Sequence, residues 1–153
     1  MTAATLGCAT APPEAMLATG RQVLARQPFS VLIGAELAAL APGRCELHVP
    51  MTDRIRQQYG FAHGGVVSYA ADNALTYAGG TALGVPAITS EFKINYARPA
   101  VGQRLIARAR AEHAGRTQAV CRCEVFMLDE TGAEKLCALA QGTIVPLKPP
   151  RDG

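Results

Sequence analysis

The chain has 153 residues, a formal charge of +3, and 49% hydrophobic content with only 5% aromatic residues and no Trp. That length suits one domain with its own core of Ala, Val, Leu and Ile, and a core so poor in aromatics favours burying further surface in an oligomer. The mild positive charge gives no argument for nucleic acid, no run approaches the ~20 apolar residues of a membrane span, and no basic segment followed by an apolar one opens the chain, so the cytoplasm is the default compartment.

Residues 1 to 13 are rich in Ala, Thr and Pro and are expected to be disordered or loosely attached, with a single domain over 14–147 and a tail over 148–153. Pro12, Pro13 and Glu14 read as a helix start, and the helix should run to about Gln27. Pro28-Phe29-Ser30 is expected to turn the chain, and Leu32 to Ala41 to be extended. Pro42-Gly43 signals a turn, after which Cys45, Leu47 and Val49 alternate with Arg44, Glu46 and His48, as a half-buried antiparallel strand requires.

A polar loop from Met51 to Tyr59 leads into the stretch on which the rest is organised, Gly60 to Gly80. From Gly64 onward, helical period puts Val66, Val67, Ala70, Ala74, Tyr77 and Ala78 on one face. Gly65, Ser68, Tyr69, Asp72 and Thr76 fall on the other. That second face carries no Lys, Glu or Arg, so it is expected to meet something other than bulk water. Gly79-Gly80 and Gly84-Val85-Pro86 are expected to end the helix. Four period-two segments follow at meander spacing, near Ile88–Ala97, Gln103–His113, Thr117–Leu128 and Lys135–Val145. An early hairpin, one central helix and four strands describe an α+β fold, an antiparallel sheet curled around a helix.

Tandem glycines at a helix start let a ligand approach the backbone, and the first helix amides lack intrahelical acceptors, so Gly64 can hold a partially negative oxygen such as develops in acyl transfer. At ~1.5 Å per residue Asp72 lies ~12 Å further along the axis, too far to act on a carbonyl held at Gly64. Two such helices lying antiparallel about a twofold axis would bring each Asp72 to the other chain's glycine end.

His63-Gly64-Gly65, then six residues, then Asp72-Asn73, followed by a strand from Thr89 to Pro99, resembles the hotdog-fold acyl-CoA thioesterases of the phenylacetate-degradation type (PaaI-like) over roughly Pro28 to Pro146. The resemblance implies that Asp72 is the catalytic general base or nucleophile and that Gly64, beside Gly65, supplies the oxyanion amide. It implies further that Thr89, or Ser90, positions the water. His63 either borders the carbonyl, orients the water or caps the helix entry. Relatives place an asparagine six residues before the histidine, where this chain has Gln57, with Gln58 as the other candidate amide. Tyr59, Phe61, Tyr69 and Ser68 are candidates to line the acyl site, and Arg98 and Arg116 to meet phosphates of the acyl-CoA substrate. No metal is expected and no cofactor beyond the coenzyme A of the substrate; self-association as a homodimer or a dimer of dimers is. A non-catalytic acyl-CoA-binding module, or a hotdog hydratase acting on enoyl or hydroxyacyl thioesters, is the competing reading. The cysteines at 8, 45, 121, 123 and 137 lack metal-site spacing and read as buried reduced thiols.

Overall fold

A computed structural model describes residues 12–147, so the expected N-terminal segment and C-terminal tail lie almost wholly outside the described residues. The first helix, α1, spans Pro13–Leu24 with proline in its first turn. It stops short of Gln27 because Pro28 forces the preceding residue out of the helical region, and Gln27 is extended at φ −92°, ψ 106°. The same proline then starts a helix where only a turn was expected. Its fixed φ suits the first helical position, and α2 runs Pro28–Leu32, leaving the first strand, β1, only Glu36–Ala41.

Strand β2, Arg44–Pro50, pairs antiparallel with β1 through the turn at Gly43, whose φ of 71° only glycine adopts readily. A single 3₁₀ turn at Asp53–Ile55 precedes the central helix α3, Gly64–Leu83. The remaining strands are β3 (Ala87–Tyr96), β4 (Arg104–Ala114), β5 (Ala119–Leu128) and β6 (Glu134–Pro146). All six form one antiparallel sheet in the order β1-β2-β4-β5-β6-β3. The expected meander holds for β4, β5 and β6. Strand β3 departs from it: α3 carries the chain from β2 to the far edge, where β3 lies beside β6 with Ala87 opposite Pro146 and Tyr96 opposite Ala138.

The helix continues through Gly79-Gly80, against expectation, and ends at Gly84, which takes the left-handed conformation at φ 69° and donates its amide to the Gly80 carbonyl. Those two glycines serve packing instead. A Cβ on Gly79 would lie 2.5 Å from Cβ and Cγ1 of Ile144 on β6, so the missing side chain sets how closely helix and sheet approach. Ala70, Ala71, Ala74 and Ala78 are all fully buried on the same helix and keep the sheet equally near. The core they share contains Leu37, Leu47, Leu75, Leu105, Val125, Met127 and Ile144. Each large side chain fully removed from water there contributes about 1.5–3 kcal/mol. Cys45, Cys121, Cys123 and Cys137 are free, buried thiols facing this core, as expected for them; burial pushes Cys123 up to about 12 and Cys121 and Cys137 to about 11.

On the outer face of the sheet Arg44, Arg110, Arg122, Gln141 and Lys93 stand opposite one another on successive strands, a nearly continuous basic row. Beside it, Arg108 stacks over Phe126 and bridges two acids, giving Nε to Glu46 at 2.7 Å and both terminal nitrogens to Glu134. The second oxygen of Glu46 meets His48 Nε2 at 2.8 Å.

Candidate active site

The loop before α3 is held by backbone bonds at both margins, the Ala62 amide to the Ala100 carbonyl and the His63 amide to the Ile55 carbonyl. These fix where the helix begins. His63 is the N-cap, extended at φ −60°, ψ 135°, and its Nδ1 accepts the Gly65 amide at 3.0 Å. A ring nitrogen that accepts carries no proton, so this hydrogen bond selects the tautomer with its hydrogen on Nε2. The Val66 and Val67 amides both donate to the His63 carbonyl. Of the four first-turn amides, then, Gly64 alone has no acceptor among the described residues.

Gly64 lines a cavity of about 400 Å³ together with Phe61, Val67, Tyr96, Arg98 and Cys137. No acidic residue occupies the first turn, so the positive end of a helix ~30 Å long stays unneutralised by its own sequence. An amide free of protein partners, a helix dipole and a guanidinium at the rim together make a seat for a developing negative charge.

Asp72 sits on the half-buried face of α3, and the surrounding residues sort as helical period requires. Val66, Val67, Ala70, Ala74, Tyr77 and Ala78 are buried, while Ser68, Tyr69, Asp72 and Thr76 are intermediate. Asp72 Oδ1 is shielded from solvent with no hydrogen-bond partner, and no ion pair involves Asp72 among the described residues. A shielded carboxylate oxygen left unbonded costs about 1–3 kcal/mol or more. Thr76, one turn on, gives its hydroxyl to the Asp72 backbone carbonyl at 2.9 Å and shares a 2.7 Å contact with the Thr89 hydroxyl of β3. Thr89 is thereby linked through the Thr76 hydroxyl to the Asp72 backbone carbonyl. Ser90 is exposed, at the irregularity in β3 between Thr89 and Glu91.

Other candidates are placed differently. Gln57 folds back on its own turn, its Oε1 accepting the Tyr59 amide at 2.6 Å, and Gln58 is exposed. Tyr59, 78% exposed, stacks on Phe61 at 6.3 Å between ring centroids, so Phe61 reaches the cavity with Tyr59 outside it. Tyr69 turns toward the N-terminal helices. Its hydroxyl donates to Ser30 Oγ at 2.6 Å and accepts from Asn73 Nδ2 at 2.8 Å, and its ring meets Phe29 edge-on. Arg116 lies in the β4–β5 turn, at the opposite end of β4 from Arg104. Within one protomer Gly64, Phe61 and Arg98 come together; Asp72 and Thr89 form a second group; Arg116 joins neither. Sequence reasoning missed Tyr96, the last residue of β3. Its hydroxyl donates to the Gly64 carbonyl at 3.0 Å.

The family model of the Thioesterase superfamily matches residues 59–134. Among solved structures, a thioesterase family protein from Silicibacter pomeroyi is 36% identical with a TM-score of 0.77, the match covering 82% of this chain and 93% of that one. A mutant of phenylacetic acid degradation protein PaaI from Thermus thermophilus is 31% identical with a TM-score of 0.67, over 79% of this chain and all of that one (100%). A 1,4-dihydroxy-2-naphthoyl-CoA hydrolase from Listeria monocytogenes is 29% identical over 118 residues, 76% of this chain and 93% of its own length. With these likenesses and the sheet curled around α3, the chain belongs to the thioesterase superfamily, as a hotdog-fold, PaaI-like thioester hydrolase.

Proposed function

We propose that the protein hydrolyses aromatic or medium- to long-chain acyl-CoA thioesters at two equivalent sites shared across a homodimer. The observation that carries this reading is the division of labour along α3: the free amide and its cavity are at Gly64, and the unbonded carboxylate oxygen is at Asp72, ~12 Å away along the axis. Antiparallel pairing of two copies brings each Asp72 to the partner subunit's Gly64. The sheet supports such pairing at β3, a ten-residue edge strand with no strand beyond it among the described residues, whose Ile88 is 47% exposed.

In this scheme the thioester carbonyl oxygen points at the Gly64 amide. Water attacks the carbonyl carbon as Asp72 takes its proton, the tetrahedral oxyanion is held by the amide, and the carbon–sulfur bond breaks. Coenzyme A leaves as thiolate, which is stable enough near neutral pH to need little protonation in the transition state. Thr89 and Thr76 hold the backbone around Asp72, and Arg98 meets a phosphate at the cavity rim. Direct attack by Asp72, giving an acyl-enzyme, is a variant with the same residues. The aromatic substrates come forward from the naphthoyl-CoA hydrolase and the phenylacetic acid protein among the relatives.

The test is thiol release from a panel of aromatic and aliphatic acyl-CoAs. Asp72→Asn should lower kcat by ~10²–10⁴-fold at unchanged fold. Gly64→Pro deletes the free amide at little structural cost, because proline is tolerated at the first helical position and His63 already has the extended backbone that precedes proline. It should cost ~10²–10³-fold. Mixed and reassembled, the two inactive variants should recover about a quarter of wild-type activity, since half the dimers then carry one intact site of two. No recovery, with heterodimers demonstrated, rules out the shared site; full activity of Asp72→Asn rules out the mechanism.

A further inference from the structure

The amide that the proposed mechanism depends on opens one of the chain's two Gly-Gly pairs, the one at a helix start rather than in a helix interior. Two successive glycines have no Cβ to restrict them, and fixing them costs more conformational entropy than any other pair. The Gly64 amide lies in the preceding His63–Gly64 plane, which the Val66 and Val67 amides hold at the His63 carbonyl; turning the Gly64–Gly65 plane changes ψ of Gly64 and reaches that amide through the shared Cα, displacing the first helical turn. Both ends of the Gly64–Gly65 plane are held by side chains. On the amide side Gly65 donates to His63 Nδ1 at 3.0 Å; on the carbonyl side Gly64 accepts the Tyr96 hydroxyl at 3.0 Å.

We infer that Tyr96 is a positioning residue for the oxyanion amide, clamping the Gly64–Gly65 peptide from the last position of β3. The inference rests on the proposed role of Gly64. Tyr96 is 55% exposed, so its hydroxyl could be satisfied by water, and it nonetheless takes up one direction across the helix start. The ring lies over Gly64 at ordinary contact range: a Cβ there would be 3.7 Å from Cε1, Cζ and the hydroxyl oxygen. Tyr96 also walls the same cavity as Gly64 and Arg98, so an acyl-CoA occupying it covers the ring and shields the clamp from water. A hydrogen bond shielded in this way strengthens, and the clamp tightens when substrate is in place. Because β3 is one of the sheet's two edge strands, and the one proposed to meet a second copy, that strand would carry the clamp at its end.

The experiment is Tyr96→Phe, which keeps the ring and removes only the hydroxyl, read in two ways. The amide order parameter should fall most at Gly65, whose N–H lies in the clamped plane, from a rigid value near ~0.85 toward ~0.6, with a smaller fall at Gly64, a measurement that needs no substrate. In thiol release kcat should drop by ~10-fold with KM within about twofold, the pattern of a lost transition-state interaction. Adding Tyr96→Phe to His63→Ala should cost less than the product of the two single losses, because both hold one peptide plane. Unchanged order at Gly64 and Gly65 overturns the inference, as does a variant that raises KM alone, which would make the ring a wall and nothing more. Loosened glycines in a protein that releases no thiol from any acyl-CoA would keep the clamp and discard the proposed substrate class.

Discussion

Gly79 and Gly80 are adjacent in one helix, and replacing each by Ala should move stability in opposite directions. Ala favours a helix interior over Gly by about 1 kcal/mol, and both positions gain that. They differ in what the new methyl meets. At Gly80 the nearest atoms are Ala87 Cβ at 3.6 Å and the Val85 carbonyl oxygen at 3.7 Å, ordinary contact. At Gly79 they are Cβ and Cγ1 of Ile144 at 2.5 Å and Cγ2 at 2.7 Å, and Ile144 is fully buried. A Cβ cannot rotate away, so helix and sheet must separate by about 1 Å, an overpacking cost of about 3 kcal/mol. The net expectation is a loss of about 2 kcal/mol for Gly79→Ala and a gain of up to about 1 kcal/mol for Gly80→Ala. At roughly 2–4 °C per kcal/mol for a chain of this size, Tm should fall by ~4–8 °C in the first and rise by ~2–4 °C in the second. Thermal unfolding followed by circular dichroism, at one fixed protein concentration because association contributes, makes the comparison. Shifts of the same sign and size would refute the account of why this helix contains glycine.

Two further outcomes follow from the outer face. Hydrogen bonds from Arg108 hold Glu134 below the usual carboxylate range; at Glu46 burial pulls upward, and the bonds from Arg108 and His48 outweigh it. Carboxylates with lowered folded values stabilise above their unfolded value, ~4.3, and that contribution is lost as pH falls through the folded value. Tm measured from pH 6 to pH 2 should therefore decline less steeply below ~4.5 in the double variant Glu46→Gln, Glu134→Gln than in the wild type; parallel curves would contradict the pairing. Separately, Arg44 stands directly opposite Arg110 and makes no ion pair among the described residues, unlike Arg122, which meets Glu124 at 4.0 Å; Arg44→Gln should raise stability by ~0.2–1 kcal/mol at low ionic strength, with the gain fading by ~0.5 M salt. A loss at low salt would mean that these arginines stabilise one another's surroundings more than they repel.

What the sequence made legible was local or periodic. The alternation of Cys45, Leu47 and Val49 with their polar neighbours needs only period two, and the apolar face of α3 needs only period 3.6, and both sort inside from outside as read. Pairing over distance was not legible. Strands β3 and β4 are consecutive, and nothing in either says that β3 joins β6 instead. The helix end was read at both glycine sites, and only Gly84 holds, because glycine serves both as terminator and as spacer: Gly84 is the first, Gly79 the second, and only the position of Ile144 separates them. Proline carried the same ambiguity at Pro28, which ended one helix and began another. At the site, the glycine loop and Asp72 stood out as departures from pattern, a ligand-ready start and an uncompensated acid. Tyr96 did not, because an aromatic closing an apolar strand face is unremarkable until its hydroxyl is seen on Gly64.

The place of β3 at the far edge has a consequence for synthesis. Ala87 waits for Pro146 and Tyr96 for Ala138, partners that the ribosome makes more than forty residues later. At about 5–20 residues per second, β3 spends seconds with both of its edges unpaired while the hairpin before it and the helix it must cover are already made. The clamp on the glycine loop comes with that strand. The amide end of α3 is thus among the last parts of the molecule to be set, once the C-terminal strand is free to close the sheet.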